Sequence, residues 1–157
     1  MHISLRAVRD EDEDFLYRLY ADRRRDEMAM WGWDAAQQNA FLKMQFRAQS
    51  MGYATEFPQA DHQLILADGE PVGRMIVHRG ATQTTLVDIA ILSECRNRGI
   101  GANVIGNLIA DCEASGKPLV LHVNKGNPAI HLYQRLGFLP DGEDELAYKM
   151  SRPTAKA

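Results

Sequence analysis

Arg96-Asn97-Arg98-Gly99-Ile100-Gly101 follows an apolar run of strand character, Leu86 to Leu92. A helical pattern begins at once after it, with Val104, Ile105, Leu108, Ile109 and Cys112 on one face. A strand, a tight glycine turn and a helix in that order aim several backbone N–H groups at one point. The positive end of the helix dipole lies behind them. Gly99 and Gly101 remove the Cβ atoms that would hold a bulky anion at a distance. The chemistry of such a stretch is phosphate binding through the main chain. Two phosphate motifs are excluded by spacing. A Walker loop requires G-x-x-x-x-G-K-[ST], a string this chain lacks. The dinucleotide fingerprint would need glycine where Val104 stands, and an acidic residue ending the next strand where Asn124 stands.

The pattern that remains, Arg96-x-x-Gly99-x-Gly101, resembles the acyl-CoA pyrophosphate loop of the GNAT N-acetyltransferase superfamily. A second stretch extends the resemblance. Asn127-Pro128-Ala129 followed by Leu132-Tyr133-x-Arg135-Leu136-Gly137-Phe138 looks like that family's N-x-A-x-x-L-Y-x-x-x-G-F signature. The two stretches occur in order, one helix and one strand apart, and span Leu86 to Phe138. The resemblance implies acetyl-CoA (coenzyme A) as cosubstrate, without a metal. It implies that Ile89, Ile91 and Leu92 line the pantetheine arm in a gap between two splayed parallel strands. Backbone N–H groups of Asn97, Arg98, Gly99, Ile100, Gly101 and Ala102 would hold the pyrophosphate. Arg96, and Arg98 beside it, would add charge, and Asn127 and Tyr133 would complete the cofactor contacts.

Acyl transfer from a thioester to an amine makes three demands. The amine must be neutral, although an alkyl amine has a pKa of about 10. The carbonyl oxygen, as charge develops on it, needs a donor. The departing thiolate benefits from a proton. The resemblance assigns the donor to a backbone N–H near Leu92 and the proton to the Tyr133 phenol. For the base, His122 stands where the amino-terminal ribosomal-protein acetyltransferases carry a glutamate, and imidazole titrates in the right range. Asp88 on the neighbouring strand is the competitor, acting through water. That glutamate is histidine here, so the subfamily's substrate does not transfer.

The acceptor site would be built by the first two helices and their connection, with Met28, Trp31, Trp33, Tyr53 and Arg23 as candidate walls. The function expected is transfer of an acetyl group to a primary amine of a small molecule or peptide by direct attack. Two alternatives stand beside it: a non-catalytic acyl-CoA-binding sensor module, and an acyltransferase using another acyl-CoA. Tyr133 favours the enzyme, because a pure binder has no need of that phenol.

At 157 residues, 45% hydrophobic and 25% charged, the chain has enough length for a sizeable core. A net charge of -3 argues against nucleic acid as a main partner. Arg23-Arg24-Arg25 reads as a solvated helix face. Cys95 and Cys112 have neither metal spacing nor a secretory context and read as free thiols of a reducing compartment. The five histidines form no H-x-x-x-H or Cys/His group, so no metal site is expected. No apolar segment suggests a signal or membrane span, and the expectation is a cytoplasmic protein without membrane contact. Sheet edges at either end leave a homodimer open.

These residues must be positioned by the rest of the chain. His2 to Val8 alternates as a first, edge strand. Asp10 with Glu13 offers a capping box for a helix that turns Phe15, Leu16, Leu19 and Tyr20 inward. Periodicity is lost from Arg23 to Trp33. Asp34 with Gln37 opens a second helix carrying Phe41, Leu42, Gln45, Phe46 and Gln49. The two glutamines either face a pocket or flank the buried stripe. Gly52 to Asp61 reads as loop. Gln63–Ala67 and Val72–Arg79 form a hairpin about Asp68-Gly69. After the Leu86 strand and the glycine turn, the helix ends at Gly116-Lys117-Pro118. Leu119–Val123 is then a strand parallel to the one before the turn, by a right-handed crossover. Asn127 caps a helix with Pro128 in its first turn, Ala129, Leu132, Tyr133 and Leu136 as its stripe, and Gly137 past its end. Phe138–Pro140 and Leu146–Met150 close the sheet. The expected fold is α+β: a mixed, mostly antiparallel sheet of about seven strands with a central parallel pair, bracketed by about four helices. One domain would cover 1–151, with a loose tail over 152–157.

Overall fold

The computed structural model describes residues 1–154, apart from the side chains at 26 and 27. Seven strands form one mixed sheet: β1 (Ile3–Ala7), β2 (Asp61–Ala67), β3 (Glu70–Arg79), β4 (Thr84–Ile91), β5 (Leu119–Asn124), β6 (Leu139–Glu143) and β7 (Ala147–Arg152). Their order is β1-β2-β3-β4-β5-β7-β6, with β4 and β5 parallel. Four helices accompany them: α1 (Glu13–Met28), α2 (Ala35–Glu56), α3 (Ile100–Ser115) and α4 (Ala129–Arg135). The chain falls into two compact units that each take part of β3 and β4. One holds Met1–Arg74 and Ala90–Arg96; the other holds Met75–Ile89 and the chain from Asn97 onward.

In the first unit, β1 pairs antiparallel with β2, from Ile3 opposite Ala67 to Ala7 opposite Gln63. The β2–β3 turn is the expected one. Asp68 (φ 50°) and Gly69 (φ 84°) are both left-handed, as a two-residue hairpin of this twist requires. Asp68 also ties down the chain start, its Oδ1 accepting the His2 N–H at 2.8 Å. At Gly73 the backbones of β3 and β4 come so close that a Cβ would lie 2.3 Å from the Ala90 carbonyl oxygen. A backbone oxygen cannot swing aside as a side chain does. Gly73→Ala is therefore expected to destabilise the fold by about 3 kcal/mol or to abolish it, as urea unfolding or the soluble yield will show.

The start of α1 differs from expectation. A short 3-10 turn, Asp10–Asp12, precedes it, and the carboxylate that reaches back is that of Asp12, accepting the Arg9 N–H at 2.7 Å. Asp12 also receives both terminal nitrogens of Arg6, each at 2.8 Å. These bonds, the Arg6 contact above all, hold its carboxyl down to about 2. A folded-state pKa below the unfolded one stabilises above the unfolded value and loses that effect as pH falls through the folded value. Asp12→Asn should therefore lower Tm at neutral pH. The gap to the unaltered protein should persist down to about pH 4 and close towards pH 2, as melting curves across that range will show.

Helix α1 then runs on to Met28 through the stretch expected to lose periodicity. Arginine is a good helix former, and Met28, fully buried with Leu16, Tyr20, Leu42, Phe46 and Leu64, pins the last turn. Gly32 (φ 70°) breaks the chain, and Asp34 begins α2 with the capping box expected of it. Its Oδ1 accepts the Gln37 N–H at 2.8 Å, and Gln37 Oε1 accepts the Asp34 N–H at 3.0 Å. Of the loop expected over Gly52 to Asp61, the first part, 52–56, is instead the end of α2, and 57–60 form the connection to β2. One exposed glycine costs a helix only about 1 kcal/mol, too little to end one already capped and packed.

In the second unit, α3 buries Ile100, Val104, Ile105, Leu108 and Cys112 and ends at Gly116 (φ 73°). Ile109 lies at the rim of that stripe, half-buried. Burial pushes the Cys112 thiol up, opposed by a hydrogen bond with Thr84. Lys117 donates to the Gly80 carbonyl at 2.8 Å, tying the end of α3 to the β3–β4 turn. β7 lies between β5 and β6 and extends to Arg152, past the bound expected for the domain. Arg152 is no tail: its Nε donates to the Leu136 carbonyl at 2.9 Å and its Nη1 to Glu113 at 2.7 Å. Of the expected tail, 155–157 lie outside the described residues.

Candidate active site

The glycine turn becomes a cradle by backbone conformation rather than by side chains. Asn97 (φ 62°) and Gly99 (φ 78°) are both left-handed, and α3 starts at Ile100 immediately after. Open space surrounds a Cβ added at Gly99, so the requirement there is the dihedral and not the room. The first backbone bond of α3 runs from the Asn103 N–H to the Gly99 carbonyl, at 3.0 Å. The amides of Ile100, Gly101 and Ala102 therefore lie ahead of the helical ladder, at the positive end of the dipole. Asn97, Arg98 and Gly99 are exposed, and Gly101 and Ala102 half-buried. This arrangement can bind an anion of diphosphate size through main-chain donors.

Beside the cradle the parallel pair comes apart. β4 and β5 pair only at Thr84–Leu119, Thr85–Val120 and Leu86–Leu121. The parallel register ends at that third rung, while both strands run on, β4 to Ile91 and β5 to Asn124. His122, Val123 and Asn124 of β5 pair on their other side with Lys149, Tyr148 and Ala147 of β7. A fork of this kind leaves ladder groups on facing strand edges. Asp88 and Ile89 are half-buried on one arm. His122 is exposed on the other, alternating with buried Leu121 and Val123.

In the first unit, the last residue of β4, Ile91, is half-buried and its carbonyl accepts Arg96 Nε at 3.3 Å. Leu92 is buried, and its N–H donates to the Val72 carbonyl at 2.9 Å. The donor expected near Leu92 is thus not the amide of Leu92 itself, because a backbone bond to β3 already uses it. The 3-10 turn Ser93–Cys95 follows and leads into Arg96.

Tyr133 sits on α4, 7% exposed, its ring 5.7 Å from that of Phe138 in an edge contact. Asn127 accepts the Ala129 N–H on Oδ1 at 2.9 Å, so its side-chain oxygen caps α4. Of the expected α4 stripe, only Tyr133 is fully buried; Ala129, Leu132 and Leu136 are half-buried. Asp144, unremarked in the sequence, caps the β6–β7 turn by accepting the N–H groups of Ala147 and Leu146. Those two bonds, with lesser help from the charge of Lys125, hold its carboxyl below the usual range.

The expected acceptor walls all lie in the first unit. Trp31, Trp33 and Phe41 form a three-ring cluster with centroids 5.2, 5.7 and 5.4 Å apart, and both tryptophans are exposed. Tyr53 lies under the Arg74 guanidinium, 5.6 Å from its ring centre. Arg74, 3% exposed, donates to Gln49 at 3.0 Å, which settles that glutamine as inward-facing. Met28 does not fit the expectation: it is buried in the core with Leu42 and Phe46. Arg23 is exposed on α1. Among the described residues, no three His, Cys, Asp or Glu side chains are grouped to hold a metal ion, and no helix is long and apolar enough to cross a membrane.

Solved structures share the fold that carries this geometry. The PaiA N-acetyltransferase of Thermoplasma acidophilum, solved in complex with coenzyme A, superimposes with a TM-score of 0.73 at 15% identity, covering 98% of this chain and 99% of that one. An acetyltransferase of Thermus thermophilus gives a TM-score of 0.71 at 21% identity, over 98% and 97% of the two chains. The ribosomal-protein-S18-alanine N-acetyltransferase of Escherichia coli gives 0.67 at 19%, over 99% and 96%. At these identities the likeness is one of fold. No curated protein matches the chain in sequence. Residues 6–138 match the model of the Acetyltransferase (GNAT) family, which takes in the cradle, the fork and Tyr133. With the seven-stranded sheet and its single parallel pair, this makes the chain a member of the GNAT acetyltransferase family.

Proposed function

We propose that the protein transfers an acetyl group from acetyl-CoA to a primary amine of a small molecule or peptide, by direct attack of the amine. The observation that carries this reading is the fork: β4–β5 pairing stops at Leu86–Leu121, and a left-handed turn opens α3 just beyond β4. An extended chain bearing its own amides fits between two strands that have parted, and a diphosphate fits the amides at the head of α3. Coenzyme A joins both features in one molecule, and its acetyl thioester, when bound, would supply the activated acyl group.

The chain's residues divide the remaining work. Backbone N–H groups from Asn97 to Ala102 hold the diphosphate, with Arg96 and Arg98 adding charge. Ile89, Ile91 and Leu92 line the arm. The Tyr133 phenol gives a proton to the departing sulfur. His122 takes the proton of the incoming ammonium, directly or through water, and Asp88 on the opposite arm is its competitor. The exposure of His122 suits a base that reaches the amine through solvent. Trp31, Trp33, Tyr53 and Arg23 remain as acceptor-side walls.

Titration calorimetry with CoA, followed by a thiol-release assay with acetyl-CoA and a panel of amines, tests the reading. Micromolar binding and turnover of at least one amine are expected. Binding without turnover of any amine would favour a non-catalytic acyl-CoA sensor. Turnover only with longer thioesters would replace the acetyl group, and no binding at all would end the proposal.

A further inference from the structure

One face of α1 grips the turn that leads into the cradle. Leu19, 1% exposed, packs with Ala90 and Leu92, and Phe15 and Cys95 lie against the same cluster. Beside this apolar half, Arg18 and Asp22 stand one helical turn apart and reach two successive residues. Arg18 Nη2 donates to Glu94 Oε1 at 2.8 Å. Asp22 uses both carboxylate oxygens on one serine: Oδ2 accepts the Ser93 N–H and Oδ1 the Ser93 hydroxyl, each at 2.8 Å. The turn Ser93–Cys95 has Leu92 at its N-cap and no capping bond from it. Asp22 therefore does from α1 what a capping side chain does locally. The same turn ends at Arg96, whose Nε is fixed to the Ile91 carbonyl.

We propose that Asp22 is a positioning residue for coenzyme A: its two-point hold on Ser93 sets the course of the chain into Arg96 and the amides that follow. The proposal rests on reading Asn97–Ala102 as the diphosphate loop. It differs from a merely structural role in what it moves, because a clamp that only stabilised the fold would change Tm and leave CoA affinity untouched.

The test is calorimetry with CoA, together with thermal unfolding, on the full chain and four variants. Asp22→Ala should weaken CoA about tenfold, the loss expected for a charge-assisted contact that water partly replaces. Asp22→Asn, which keeps one acceptor oxygen, should recover part of that loss. Ser93→Ala keeps its N–H and should fall between Asp22→Ala and the unaltered protein. Arg18→Ala breaks an exposed ion pair and should leave CoA affinity within about twofold. Unaltered CoA affinity in Asp22→Ala and Ser93→Ala, whatever their Tm, overturns the proposal. If Asp22→Ala does not fold, Ser93→Ala decides alone. Failure of the unaltered chain to bind CoA is a separate result, which removes the diphosphate reading and this proposal with it.

Discussion

Tyr133→Phe should lower kcat by about 100-fold or more while leaving the KM for acetyl-CoA within about twofold. The substitution removes one oxygen and keeps the ring, so the edge contact with Phe138 survives and Tm should move little. A general acid acts only as the sulfur departs, and its loss therefore falls on the chemical step rather than on ground-state binding. Steady-state kinetics with an amine that the unaltered protein acetylates will separate the two constants. Unchanged kcat would make Tyr133 a core tyrosine of α4 and would send the search for the proton donor elsewhere.

The second large effect is expected at the head of α3. Gly101→Glu places a carboxylate in the first helical turn, where the dipole favours negative charge and the fold should tolerate it. The same carboxylate would face a diphosphate a few ångströms away. Like charges about 5 Å apart near a protein surface repel by about 3 kcal/mol. CoA affinity should therefore fall about 100-fold in calorimetry, with Tm nearly unchanged and the loss eased by salt. Gly101→Glu binding CoA as tightly as the unaltered chain would put the diphosphate somewhere other than this turn.

Much of the local backbone structure, the glycine turn included, was legible in the sequence because its determinants are local. A left-handed turn needs its glycine at a fixed offset, and Asp34 with Gln37 announces a helix start within four residues. The Asp68-Gly69 hairpin is of the same kind. What was hidden depends on contacts between distant segments. Nothing near Arg23–Arg25 says that α1 continues; Met28 does, by its burial against α2 and β2. Gly52 reads as a breaker until the capped, packed helix before it is known. The use of the Leu92 amide by Val72 depends on strand pairing, which alternation alone does not fix. Asp22 gives no sign at all, because Ser93 lies 71 positions further along the chain.

An interruption at the middle of a sheet has different properties from a frayed rim. A rim invites any passing strand, whereas the parting of β4 from β5, inside the sheet, would admit only something slender enough to enter between two arms. On the proposed reading, discrimination would then depend less on the outline of a cavity than on thinness and on amide spacing. A guest would be sorted first by whether it can imitate a polypeptide, and only afterwards by what it carries at its tip.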